Sequence, residues 1–132
     1  MSAAEALALA GALALTAGIV AGAAPRASSA ATLVQAAGMA LVGAAGAIVL
    51  VDGDAIGASF RDELDPAFGI DPLGGFFLAT IAVVAVPALV YGHGYLAGAP
   101  RARALVPLTG LFLATLAGFV TARDPSTLIG CW

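Results

Sequence analysis

Charged residues fall in clusters along this chain, and the stretches between the clusters are long and apolar. The first apolar run extends from Ala6 to Ala24, bounded by Glu5 and by Pro25-Arg26. The second covers about 33–51, is interrupted only by Gln35, and is closed by Asp52. The third follows Asp71-Pro72 and continues over about 73–96, and the fourth, 104–122, lies between Arg103 and Arg123. Each approaches the roughly 20 residues that a helix needs to cross about 30 Å of hydrocarbon. None alternates with period 2, which argues against a β-barrel, and none has a polar face, as expected of helices buried in lipid and in each other. The pattern predicts an all-α transmembrane helical bundle in a single membrane domain.

Helix starts are marked twice by the same device. Asp71-Pro72 and Asp124-Pro125 each place a capping carboxylate before a proline at the first helical position. A full span follows the first, but only Ser126 to Trp132 follow the second. The expectation is four spanning helices plus the truncated start of a fifth at 125–132. The other reading of this tail is an interfacial segment anchored by Trp132. The opening segment is expected to be a retained helix rather than a signal peptide, because it carries Glu5 and no basic start.

Composition narrows the function classes. Of 132 residues 61% are hydrophobic and 10% charged, and the mean hydropathy is +1.05, which excludes a disordered chain and an ordinary soluble enzyme. Five arginines and no lysine face eight acids, for a net charge of -3, so there is no basic face for nucleic acid. The single cysteine, Cys131, forms no internal disulfide and no multi-cysteine metal site. No cofactor is expected.

Arginine placement sets a weak orientation. Arg26, Arg101 and Arg103 lie in the first and third loops, against Arg61 and Arg123 on the other side. The positive-inside rule then puts the first and third loops in the cytoplasm and the N-terminus outside, in the plasma membrane. The loop 52–71 is strongly acidic, but Asp62, Glu63 and Asp65 lack the alternating ligands of an EF-hand, so a solvated loop is expected.

Ion transport normally requires an ionisable group inside the membrane, and none lies near mid-depth in these spans. Gln35 is polar but does not titrate. Gly18, Gly22, Gly38, Gly43 and Gly46 read as close helix packing. Pro87 frees the carbonyl of Val83, and Thr109, Thr115 and Thr121 are expected to bond between helices. His93, in Tyr91-Gly92-His93-Gly94-Tyr95 at the end of the third span, is the one ion-path candidate. It reads either as a titrating group at a channel mouth or as an interfacial residue in an aromatic belt with Tyr91 and Tyr95.

The second half carries a resemblance. Gly69-Ile-Asp71-Pro-Leu-Gly-Gly-Phe-Phe-Leu, then Tyr91-Gly-His93-Gly-Tyr95-Leu, Leu111-Phe-Leu-Ala-Thr115 and Ile129-Gly-Cys-Trp132 occur in order. Together they resemble the antiporter-like, proton-translocating membrane subunits of respiratory complex I and membrane-bound hydrogenases. The Asp71–Phe77 stretch is most similar to the hydrogenase-4 component B (formate hydrogenlyase subunit 3) branch. Before Asp71 the likeness is one of hydropathy alone. The resemblance implies translocation of protons or sodium, driven by electron transfer in partner membrane subunits of a hydrogenase or NADH-quinone oxidoreductase type complex. It also implies an ion path through a glutamate on the fifth helix and a later lysine, neither present here; only the family's turn histidine maps, onto His93. This chain is then expected to be a non-redox, N-terminal fragment, inactive alone. The competing reading is a complete small four-helix scaffold or assembly protein. A small multidrug exporter is disfavoured, because Glu5 sits at the edge of the first span rather than in its middle.

Overall fold

The computed structural model describes residues 1–24, 28–62, 64–96 and 102–132, without the side chains of 28–29 and 102–103. Arg26, Glu63 and Arg101, which entered the charge and orientation readings, lie outside the described residues, as does the Arg103 side chain. Among the described residues there are five helices: α1 Ala3–Gly22, α2 Ser28–Asp52, α3 Pro72–Tyr95, α4 Ala102–Thr121 and the short α5 Pro125–Cys131. The first four are long and apolar enough to cross a membrane, so the architecture is the expected all-α bundle and fits a multi-pass membrane protein. Those four helices alternate in direction. The ends of α1 and α3 and the starts of α2 and α4 form the lower end of the bundle, and the opposite termini form the upper end.

Local chemistry sets the helix starts. Ser2 and Glu5 form a reciprocal capping box on α1: Ser2 Oγ accepts the Glu5 N–H at 3.1 Å, and Glu5 Oε2 accepts the Ser2 N–H at 2.7 Å. Both Asp-Pro signals act as predicted. Asp71 Oδ1 accepts from the Gly74 N–H at 2.7 Å, and Asp124 Oδ1 accepts from the Thr127 N–H at 2.9 Å. Pro87 and Pro107 lie within continuous helices.

α2 is the central element and packs against α1, α3 and α4. Lipid is as apolar as leucine, so these contacts depend on shape rather than on escape from water. Small residues bring the backbones close, as expected. A Cβ on Gly38 would lie 2.8 Å from the Leu15 nitrogen, one on Gly46 would lie 2.7 Å from the Gly75 carbonyl, and one on Gly22 would press on Val106 at 2.9 Å. Met39, Leu78 and Val49 fill the core between these contacts. α3 and α4 meet much less closely, and a cleft runs between them.

The loop 52–71 is more ordered than a solvated acidic loop. Asp52, Asp54, Asp62 and Asp65 are exposed, as expected. The flanking segments, however, form two short antiparallel strands, β1 Ile56–Gly57 and β2 Gly69–Ile70, pairing Ile56 with Ile70 and Gly57 with Gly69. Gly57 has φ +80°, and a side chain there would strike the Phe68 carbonyl at 2.7 Å, so glycine is required on both counts. The returning limb is bound to the α4–α5 junction. Arg61 donates its N–H to the Arg123 carbonyl at 2.8 Å, and Arg123 donates its own to the Ala67 carbonyl at 2.9 Å.

Candidate functional site

Three polar sites stand out against the apolar bundle, and they lie at different depths. His93 is at the lower end, in the last turn of α3, and is half-buried. Tyr91 and Tyr95, four residues apart, stack with ring centroids at 6.0 Å and are exposed. Residues two apart on a helix do not face each other, so His93 sits on the side of α3 away from the tyrosine pair. Among the described residues no three His, Cys, Asp or Glu side chains gather as metal ligands.

The second site is Gln35, fully buried about 10 Å along α2 from Ser28 at 1.5 Å per residue. Its Nε2 donates to the Gly18 carbonyl of α1 at 3.2 Å and to the Val106 carbonyl of α4 at 3.1 Å. Three helices are thus tied through one amide. Two glycines make room for it: a Cβ on Gly18 would lie 2.6 Å from Gln35 Cγ, and one on Gly110 would lie 2.5 Å from Nε2. Gln35 Oε1 is buried and accepts no hydrogen bond among the described residues. Nothing in the sequence around Gln35 announces this role, because its partners are 17 and 71 residues away.

The third site closes the upper end. Arg123 Nη2 lies 2.9 Å from Asp71 Oδ1, joining the start of α3 to the end of α4. The Gly74 N–H holds the Asp71 carboxyl below its ordinary value of 3.8, against a smaller opposing effect of burial, and Arg123 adds to the lowering. The side chain of Asp124 is enclosed. Enclosure works against its ionisation, yet the Ser126 hydroxyl, Thr127 and the Ala67 N–H (2.8 Å to Oδ2) outweigh it, and its pKa is far below the usual carboxylate range. Both carboxylates are consequently held as anions, suited to clamping the loop and ill suited to carrying protons at neutral pH.

The threonines of α4 differ from the expectation of interhelical bonds. Thr115 donates to the Phe112 carbonyl at 2.9 Å, and Thr121 to the Ala117 carbonyl at 2.9 Å, both within α4 itself. A hydroxyl three or four residues after a carbonyl finds it without help from a neighbouring helix. Thr109 instead lines the cleft between α3 and α4. Across the four long helices, the ionisable side chains that are described sit in terminal turns: Glu5, Asp52, Tyr91, His93 and Tyr95. Among the described residues of the four long helices, the buried polar side chains are Thr32 and Gln35.

The chain matches no protein-family model, no curated protein and no solved structure.

Proposed function

We propose that this chain is the N-terminal part of a proton-conducting, antiporter-like membrane subunit in a hydrogenase-4 or NADH-quinone oxidoreductase type complex, resident in the plasma membrane. Within that subunit it serves as scaffold, and the relay lies in other segments or partner subunits. The observation that carries the division of labour is the absence of any ionisable side chain at mid-depth among the described residues of the four long helices. A proton crossing the low-dielectric core needs groups that bind it on the way, and amides and hydroxyls do not exchange it readily near neutral pH. The family reading is supported by the ordered motifs from Gly69 onward. It is also supported by their placement at element boundaries: Asp71 caps α3, His93 lies in its last turn, and Trp132 follows α5.

His93 is the one position through which this part of the chain would touch the ion path. In the full-length subunit, His93→Ala is expected to lower coupled proton pumping while the complex still assembles. Unchanged pumping would remove His93 from the path. Loss of the assembled complex would instead assign it to packing at the lower end.

A further inference from the structure

α3 and α4 diverge to leave a cleft of about 510 Å³, lined among others by Gln35, Thr80, Ala88, Gly92, Thr109 and Leu116. Along α3 it reaches from Thr80 to Leu96, about 24 Å of helix at 1.5 Å per residue. Its volume is that of a small-molecule site, and so is its chemistry, an apolar wall with a few polar groups. Four features restrict the occupant. The cleft is long, which suits an extended chain. None of its described lining residues is charged, so a phosphate or ammonium group would lie there without a counter-charge. Gln35 lines it about 10 Å inside the start of α2, deeper than the head of an ordinary phospholipid can follow. Finally, Gln35 Oε1 has no donor among the described residues, and the amide cannot turn to find one without breaking the bonds of Nε2 to Gly18 and Val106.

We infer that the α3–α4 cleft binds a neutral long-chain lipid bearing a hydroxyl group, its chain lying between the two helices and its hydroxyl donating to Gln35 Oε1. Oε1 is enclosed, so this contact requires the α3–α4 gap, where the packing is loosest, to widen on binding. Recognition of a donor by a buried acceptor distinguishes such a lipid from a hydrocarbon of the same length, because filling the cleft without the donor leaves the oxygen unpaired.

The test uses the whole chain in phosphatidylcholine nanodiscs and two photoactivatable probes, hexadecanol and hexadecane, each with a diazirine at mid-chain. Peptides containing 80–96 and 106–116 should be labelled about three- to tenfold more by the alcohol, the ratio expected of one net hydrogen bond, and excess unlabelled hexadecanol should compete. Gln35→Leu should bring the two probes to equal labelling. Ala88→Phe fills the cleft from an exposed position of α3 and leaves the Gln35 contacts in place; it should abolish the cleft labelling by both probes. Equal labelling of the unsubstituted chain, labelling spread evenly over lipid-facing α1 and α3, or alcohol labelling that persists in Ala88→Phe would each overturn the inference.

Discussion

Gly110 of α4 lies so close to Gln35 of α2 that a single added methyl carbon would sit 2.5 Å from the Gln35 amide nitrogen and 2.7 Å from Ile19 Cγ1. The two residues therefore define a junction where α1, α2 and α4 meet around one polar side chain. Gly110→Ala should overpack it and destabilise the bundle by about 1–3 kcal/mol. Gln35→Ala should cost less through its hydrogen bonds, since such bonds in membranes average about 0.6 kcal/mol each. The double substitution should recover part of the Gly110→Ala loss, because the shorter side chain vacates the space. Unfolding in mixed micelles, run as a double-mutant cycle, measures this coupling; strict additivity would show that the junction is not tight.

The upper clasp should respond to acid. Asp71 and Asp124 both have folded-state pKa values below 3.8, so the unfolded state binds more protons over that window. Stability is then fully present above about pH 4 and is lost as pH falls through the folded-state values. Thermal unfolding should move to lower temperature below pH 4, with the loop 53–71 releasing first from 122–127. Asp124→Asn should flatten this acid dependence while lowering stability at pH 7, since the amide keeps a capping oxygen but not the charge. A melting profile independent of pH between 7 and 3 would contradict the clasp.

Topology follows from the bundle geometry once any one loop is located. The loop 53–71 and the Arg123–Asp124 junction share the upper end and are hydrogen-bonded together, and the arginine bias predicts that this end faces outside. With Cys131→Ser as background, Ser59→Cys is expected to react with an impermeant thiol reagent added to whole cells, and Ala102→Cys only after permeabilisation. The reverse pattern would invert the orientation.

Isolated in liposomes, the 132-residue chain should insert without conducting. After a pH jump, vesicles carrying it should acidify no faster than protein-free vesicles containing the same pH-sensitive dye. A protein-dependent leak abolished by His93→Ala would show that these helices hold a path of their own.

The spans and their caps were legible because they rest on local signals. Charge clusters delimit α1 to α4, and the Asp-Pro pairs at 71–72 and 124–125 start α3 and α5 where they predict. The clasp was not legible for the opposite reason. Its backbone bonds, Arg61 to Arg123 and Arg123 to Ala67, have no side-chain signature, and they join residues about sixty positions apart. Glycines signalled close packing correctly, but not that Gly18 and Gly110 jointly accommodate Gln35. A glutamine in an apolar run shows that a partner is needed, without showing which helix supplies it. The α4 threonines misled because a hydroxyl satisfied within its own turn and one reaching across look the same in sequence.

The most direct test of membership in an ion-translocating redox complex is mass spectrometry of what accompanies the affinity-tagged subunit when native membranes are extracted in mild detergent. Co-isolation, in fixed ratio, of membrane partners and of iron–sulfur or flavin subunits of a hydrogenase or quinone oxidoreductase is the expected result. Recovery of the chain alone, or with partners none of which carries redox chemistry, would contradict the account.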